Sequence, residues 1–194
     1  MTTEPLLVAL DVIGILDRLS IPYALGGSVV SSIFGEPRSS VDADMLIALD
    51  DARVGALISA LQGSYYVSEE AARDAVRRKA SFNVIHLNEL VKVDLFVMGD
   101  GVLDREQMRR RVRVPVTAQP ERLAYATSAE DIILRKLDWF RGGGGVSDRQ
   151  WRDVLGVLKE QKDRLDFAYL VRTAEAAGLA GLLTRARSDA GGEI

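Results

Sequence analysis

The chain has 194 residues, with 25 Lys and Arg against 28 Asp and Glu, a single His, no Cys and a net charge of −3. These totals exclude a disulfide framework, a thiolate zinc site, a cysteine nucleophile and a multi-His metal site, while 47% hydrophobic residues suffice for one sizeable core. No apolar run is long enough to span a membrane and the N-terminus lacks the basic start of a signal peptide, so a cytoplasmic protein is expected.

Pro5 suits the first turn of a helix, where its missing N–H costs nothing, and Leu6, Leu10, Ile13 and Leu16 recur at helical spacing up to about Leu19. Pro22 ends that pattern, and Tyr23–Leu25 reads as a short strand. Gly26, Gly27 and Ser28 lead into a short helix over Val29–Phe34, and a loop marked by Gly35, Pro37, Ser39 and Ser40 follows. Ala43–Leu49 reads as a buried strand, Asp51–Leu61 as a helix and Glu69–Lys79 as a charged helix. Ser81–His86 and Val91–Met98 pattern as a hairpin, with His86 as a sheet residue. Arg111–Val116 alternates charged and apolar residues, as an edge strand does. The run Arg109–Arg113 is then either a charged guard of that edge or a track for RNA phosphates.

From Ser128 onward the pattern is helical. Ser128 and Asp131 fit a capping box, Gly142–Gly145 breaks the helix as a flexible connector, and Trp151, Val154, Leu155 and Leu158 form the next apolar stripe. Shorter helices over Phe167–Ala177 and Leu179–Arg187 precede a frayed tail at Ser188–Ile194. The expectation is a mixed α/β part over 1–117 and an all-helical part over 118–194, joined at Thr117–Arg122 around Pro120.

The chemistry concentrates in Leu25-Gly26-Gly27-Ser28, a spacer, and Asp42-Ala43-Asp44. Glycines after a strand let backbone approach a ligand, and a helix N-terminus presents free N–H groups to an anion. Strand side chains alternate, so Asp42 and Asp44 share a face, where they repel unless a cation lies between them. Asp94, an acid among apolar residues of another strand, needs either a salt-bridge partner, such as Lys92 or Arg78, or a job. Beside Asp42 and Asp44 it would complete a set able to hold two Mg²⁺ ions for in-line displacement at phosphorus.

These residues resemble the signature of the nucleotidyltransferase superfamily with the polymerase-beta-like fold: a hydrophobic residue, Gly-Gly or Gly-Ser, a spacer, Asp-x-Asp, and a third Asp on a later strand. Here these are Leu25, Gly27, Ser28, Asp42, Asp44 and Asp94, with Arg38 at a commonly basic position. Ser128–Leu137 and Ser147–Val154 resemble the abortive-infection (AbiEii-like) branch, which includes toxins of toxin–antitoxin pairs. The chain is short for that branch, which leaves little room for a large helical recognition domain.

The resemblance implies an α/β (α+β) catalytic core with a small mixed sheet, followed by a C-terminal helical bundle that closes one side of the cleft. It implies transfer of a nucleoside monophosphate from an NTP to a hydroxyl. Asp42, Asp44 and Asp94 would be the catalytic, Mg²⁺-binding residues. Gly26, Gly27, Ser28, Arg38, Lys136 and Asp153 would hold the nucleotide, with Asp148 second to Asp153. An RNA or tRNA acceptor and a cognate antitoxin follow from the same resemblance. A small-molecule (antibiotic) acceptor, a non-catalytic nucleotide-binding regulatory subunit and a plain interaction module remain as alternatives.

Overall fold

The computed structural model describes residues 4–118 and 120–191. In chain order its elements are α1 (Glu4–Arg18), β1 (Tyr23–Leu25), α2 (Gly27–Phe34), β2 (Asp42–Ile47), α3 (Asp51–Leu61), β3 (Tyr65–Tyr66), α4 (Glu69–Arg78), β4 (Ser81–His86) and β5 (Lys92–Val97). There follow α5 (Val102–Arg109), β6 (Val112–Ala118), β7 (Glu121–Ala126), α6 (Ala129–Gly142), α7 (Asp148–Gln161), α8 (Phe167–Ala176) and α9 (Ala180–Asp189).

One mixed sheet runs in the order β3-β4-β5-β2-β1-β7-β6. β2 pairs in parallel with β5 and β1 in parallel with β7, while the remaining pairs are antiparallel. Period-2 alternation gives the sheet two unlike faces. Ala43, Met45 and Ile47 of β2 and Val93, Leu95 and Val97 of β5 are buried, and belong to the main core with Leu10 and Leu16 of α1 and Leu57 and Leu61 of α3. Their neighbours Asp42, Asp44, Lys92 and Asp94 point to the opposite face. There the buried apolar residues form a small second cluster of Ala24, Leu46 and Met108.

Helix starts follow their caps. Asp50, Ser68, Ser128, Ser147 and Asp166 each accept from a backbone N–H one turn into the helix that follows. α2, like α5 and α9, has no side-chain cap: its N-cap is Gly26, which supplies no side-chain acceptor, so the first N–H groups of that helix stay open.

Four stretches depart from expectation. The expected joint at 117–122 is a hairpin turn, with Thr117 Oγ1 donating to the Pro120 carbonyl at 2.6 Å, and β7 continues into the sheet. Glu121 and Arg122 gave that strand a polar look; its partner β1 lies about a hundred residues away in sequence, beyond the reach of local pattern. The helix expected to end at Arg187 runs on to Asp189, and the last residues of the expected frayed tail, 192–194, lie outside the described residues. α5 and the two-residue β3 are elements that periodicity did not reveal. β6 is the last strand of the sheet and carries Arg113 of the arginine run, while Arg109 closes α5 and Arg110 caps it.

Candidate active site

The glycine turn and the first acid pair are pressed together. Gly26 N–H donates to the Asp44 carbonyl at 2.8 Å, which ties the end of β1 to β2. Gly27 adopts φ +59°, and a Cβ there would overlap the Asp44 carboxylate. Only glycine satisfies both demands, so this one residue lets Asp44 lie against the open N-terminus of α2.

Strand register assembles the rest of the face in rows. Asp44 stands opposite Asp94, and Asn83 of β4 lies opposite Asp94 on the far side. One row outward, Asp42 stands opposite Lys92. One row inward, Ala24, Leu46, Phe96 and Ser81 run in register across four strands. Alternation puts Asp42 and Asp44 on one face of β2, and the parallel pairing of β5 with β2 sets Asp94 beside Asp44.

Asp44 is strongly perturbed. Burial, reinforced by the Asp42 and Asp94 charges, pushes its pKa up from 3.8 to about 6. The cation among these acids is Lys92, whose Nζ lies 2.6 Å from Asp94 Oδ2 and 3.9 Å from Asp42 Oδ2. Arg78, the other partner considered for Asp94, pairs with Asp74. Among the described residues no group of three or more His, Cys, Asp or Glu side chains is placed to hold a metal ion as it stands. The donor chemistry nevertheless fits a hard divalent ion: carboxylate oxygens in adjacent rows, mutually repelling, with an ammonium standing where positive charge is needed.

A second charged group lies beside the α2 N-terminus. Arg38, in the loop after α2, donates through Nε and Nη2 to Asp153 Oδ1 and Oδ2 at 2.8 and 2.9 Å. Its Nη2 also donates to Ser28 Oγ. Lys136 of α6 donates to Asp153 Oδ2 at 2.7 Å, and only 2% of it is exposed. Burial lowers the Lys136 pKa, and the Asp153 carboxylate opposes that shift. For Asp153, burial raises the pKa but hydrogen bonds from Arg38 and Lys136 outweigh it and hold the group below the usual carboxylate range. Asp153 thus fixes two cations, whereas Asp148, at the exposed first turn of α7, takes no part. Close packing sets this reach: a Cβ on Gly35 would come within 2.8 Å of the Val157 backbone, so the end of α2 lies directly on α7.

Between the inward row of the sheet and helices α5 and α6 lies a cavity of about 320 Å³. Leu46, Phe96 and Trp139 line it, with Asp104, Gln107 and Arg135 at its polar side. Arg135 is engaged there with Asp104 and with Gln107 Oε1, the latter at 2.7 Å through Nη2. The pocket opens beside Gly27 and Asp44. Sequence reasoning did not single out Trp139, Gln107 or Arg135; Trp139 does stand three residues after Lys136, on a neighbouring line of the same helix.

His86 and Asp131 keep structural duties. His86 packs edge-on against Tyr65 and its Nδ1 accepts from the Glu89 N–H. Asp131 pairs with Ser128 in the capping box and accepts from Tyr169 Oη. The arginine run is also occupied: Arg109 pairs with Glu106, Arg110 with Glu130, and Arg111 and Arg113 lie over Tyr125.

Among the described residues no helix is long and apolar enough to cross a membrane. No protein-family model matches the chain, and no curated protein matches it. Solved structures do. An antigenic nucleotidyltransferase-like protein from Paracoccidioides brasiliensis is similar at TM-score 0.63 and 16% identity, over 97% of this chain and 91% of that one. ANT(2")-Ia, in complex with adenylyl-2"-tobramycin, is similar at TM-score 0.57 and 14% identity, over 91% and 98%. The lincosamide antibiotic adenylyltransferase LnuA, bound to lincomycin, is similar at TM-score 0.51 and 16% identity, over 80% and 96%. The mixed sheet, the glycine turn at its centre and these likenesses together identify the fold of this chain as that of nucleotidyltransferase-like proteins.

Proposed function

We propose that the chain is a metal-dependent nucleotidyltransferase, which moves a nucleoside monophosphate from an NTP to an acceptor hydroxyl and releases pyrophosphate. The observation that carries this reading is the contact of Asp44 with Gly27, with Asp94 in register beside it. It joins an acid cluster to an anion-binding helix start. Divalent ions bound by Asp42, Asp44 and Asp94 would supply Lewis-acid stabilisation of the phosphate oxygens.

The chain's own groups do the rest. The open N–H groups of α2 and the Ser28 hydroxyl receive the phosphates. Arg38 and Lys136, aligned by Asp153, neutralise the charge that builds on the leaving pyrophosphate. The acceptor oxygen bonds to the α-phosphorus as the α–β bridge bond breaks, and Asp94 takes the hydroxyl proton. The 1–117 part supplies the acids and the glycine turn, and the 118–194 part supplies Lys136 and Asp153.

The acceptor in this reading is a small molecule. The cavity beside Asp44 is near the lower end of the size range of small-molecule sites, apolar on its floor with a few polar groups at one side. The arginines that could have tracked an RNA backbone are taken up by carboxylates and aromatic rings. One of the similar structures is a lincosamide antibiotic adenylyltransferase and another holds adenylyl-2"-tobramycin, which agrees with a compact acceptor.

The test is transfer from α-labelled NTPs, with Mg²⁺, to a panel of hydroxylated small molecules and to total cell RNA, with Asp44→Ala as control. Label on a small molecule, absent with Asp44→Ala, is expected. Label on RNA alone overturns the acceptor class and restores the RNA-directed reading, with its antitoxin partner. NTP binding without turnover overturns the enzyme reading in favour of a regulatory subunit.

A further inference from the structure

Lys92 is the charged residue of the site face that the proposed chemistry leaves without a task. Its backbone position is fixed: parallel pairing sets it opposite Asp42, and Asp94 stands two residues along the same strand. Its head group is not fixed in the same way. The side chain is 41% exposed, and the ammonium rides on a flexible four-carbon stem. Asp94 and Asp42 are its ion-pair partners among the described residues.

The ammonium and a divalent ion want the same thing. Lys92 donates protons into carboxylate lone pairs, and a hard metal ion binds through those lone pairs. Asp94 Oδ2 at 2.6 Å from Nζ is committed to the ammonium. A divalent ion placed between Asp42 and Asp94 would also be repelled by a positive charge held there. Without either cation, three carboxylates in adjacent rows repel one another. The acids therefore need one positive partner at a time, and the chain carries the first of them itself.

We infer that Lys92 is a resident counter-ion that the site exchanges for divalent metal: it holds Asp42 and Asp94 together in the metal-free protein and swings outward as the metal enters. It is a positioning residue whose charge sets how tightly metal binds. The inference rests on the metal-dependent reading above.

Binding of Mn²⁺ to the full chain, by calorimetry or by electron paramagnetic resonance, tests it, together with melting of the metal-free protein. Lys92→Met is expected to bind Mn²⁺ about tenfold tighter than wild type, the scale on which groups around metal ligands tune affinity. Its metal-free form is expected to melt lower, with the loss recovered on adding Mn²⁺. Lys92→Arg, which keeps a cation in place, is expected to bind no tighter than wild type. If Lys92→Met does not fold, Lys92→Gln keeps a hydrogen-bond donor without the charge and should show the same tightening. Wild-type binding with equal or weaker affinity in the uncharged variants overturns the exchange alone. Absence of Mn²⁺ binding in every variant and in wild type overturns both the exchange and the metal-dependent reading.

Discussion

A single Asp153 carboxylate accepts from Arg38 at 2.8 and 2.9 Å and from Lys136 at 2.7 Å, so two cations that flank the open start of α2 share one anion. Lys136 is almost wholly buried, and stripping the partner from a buried charge costs about 3–5 kcal/mol. Asp153→Ala should therefore destabilise the protein by about 3 kcal/mol in chemical denaturation, part of the cost being relieved because Arg38 can turn to solvent. Adding Lys136→Met to Asp153→Ala should recover much of the loss, since no unpaired ammonium remains. Strictly additive losses in the double variant would show that the pair is not coupled.

The two glycines of the turn should answer differently to the same change. At Gly27 an added methyl meets the Asp44 carboxylate, and the left-handed φ of +59° costs about 1–2 kcal/mol more for any L-residue. Gly27→Ala should abolish transfer and lower the melting temperature. At Gly26 a Cβ would stand 3.7 Å from Thr127 Oγ1 and 3.8 Å from the Asp44 carbonyl, ordinary contact distances. Gly26→Ala should keep the fold and retain transfer to within about tenfold, a loss of roughly 1.4 kcal/mol in barrier height. Equal damage at both positions would remove the special role given to Gly27.

Acidity should push folding and metal loading in opposite directions. Asp44 has a pKa of about 6 in the folded chain against 3.8 for the free side chain. Between those values the folded protein binds a proton that the unfolded chain has lost, so this group's contribution to stability declines as pH rises through the window. The metal-free protein should melt lower at pH 7 than at pH 5, by a margin that shrinks in Asp44→Asn. Metal needs the deprotonated carboxylate, so Mn²⁺ affinity should climb by up to about tenfold per pH unit below 6 and level off above it. Affinity that is flat across that range would mean Asp44 gives up no proton on loading.

The acid cluster was legible from sequence because strand alternation is strict. Once Asp42 and Asp44 share a face, only the register of β5 remains open, and that register sets Asp94 opposite Asp44. The cationic side was legible only in its members. Arg38 and Asp153 lie 115 positions apart, and no local pattern ties a loop arginine to a carboxylate on α7. Lys136 shows why composition misleads: a lysine on a helix is usually solvated, and this one is buried because Asp153 can receive it. The cavity was invisible for a related reason, since its floor is one row taken from four strands and its roof comes from helices far along the chain.

The lacing of β1 to β7 has a consequence for turnover. Leu25, the last residue before the glycine turn, gives its carbonyl to both the N–H and the hydroxyl of Thr127, at 2.9 and 3.0 Å, and Thr127 directly precedes the cap of α6. The strand that delivers the phosphate cradle and the helix that delivers Lys136 are thus spliced at adjoining residues, with no free joint between them. A jaw-like opening between them would have to break both hydrogen bonds to the Leu25 carbonyl. In the proposed reaction, substrates would instead exchange through the front, past the Gly35–Val41 loop, where the Val41 side chain is exposed and Arg38 stays tied to Asp153 and Ser28.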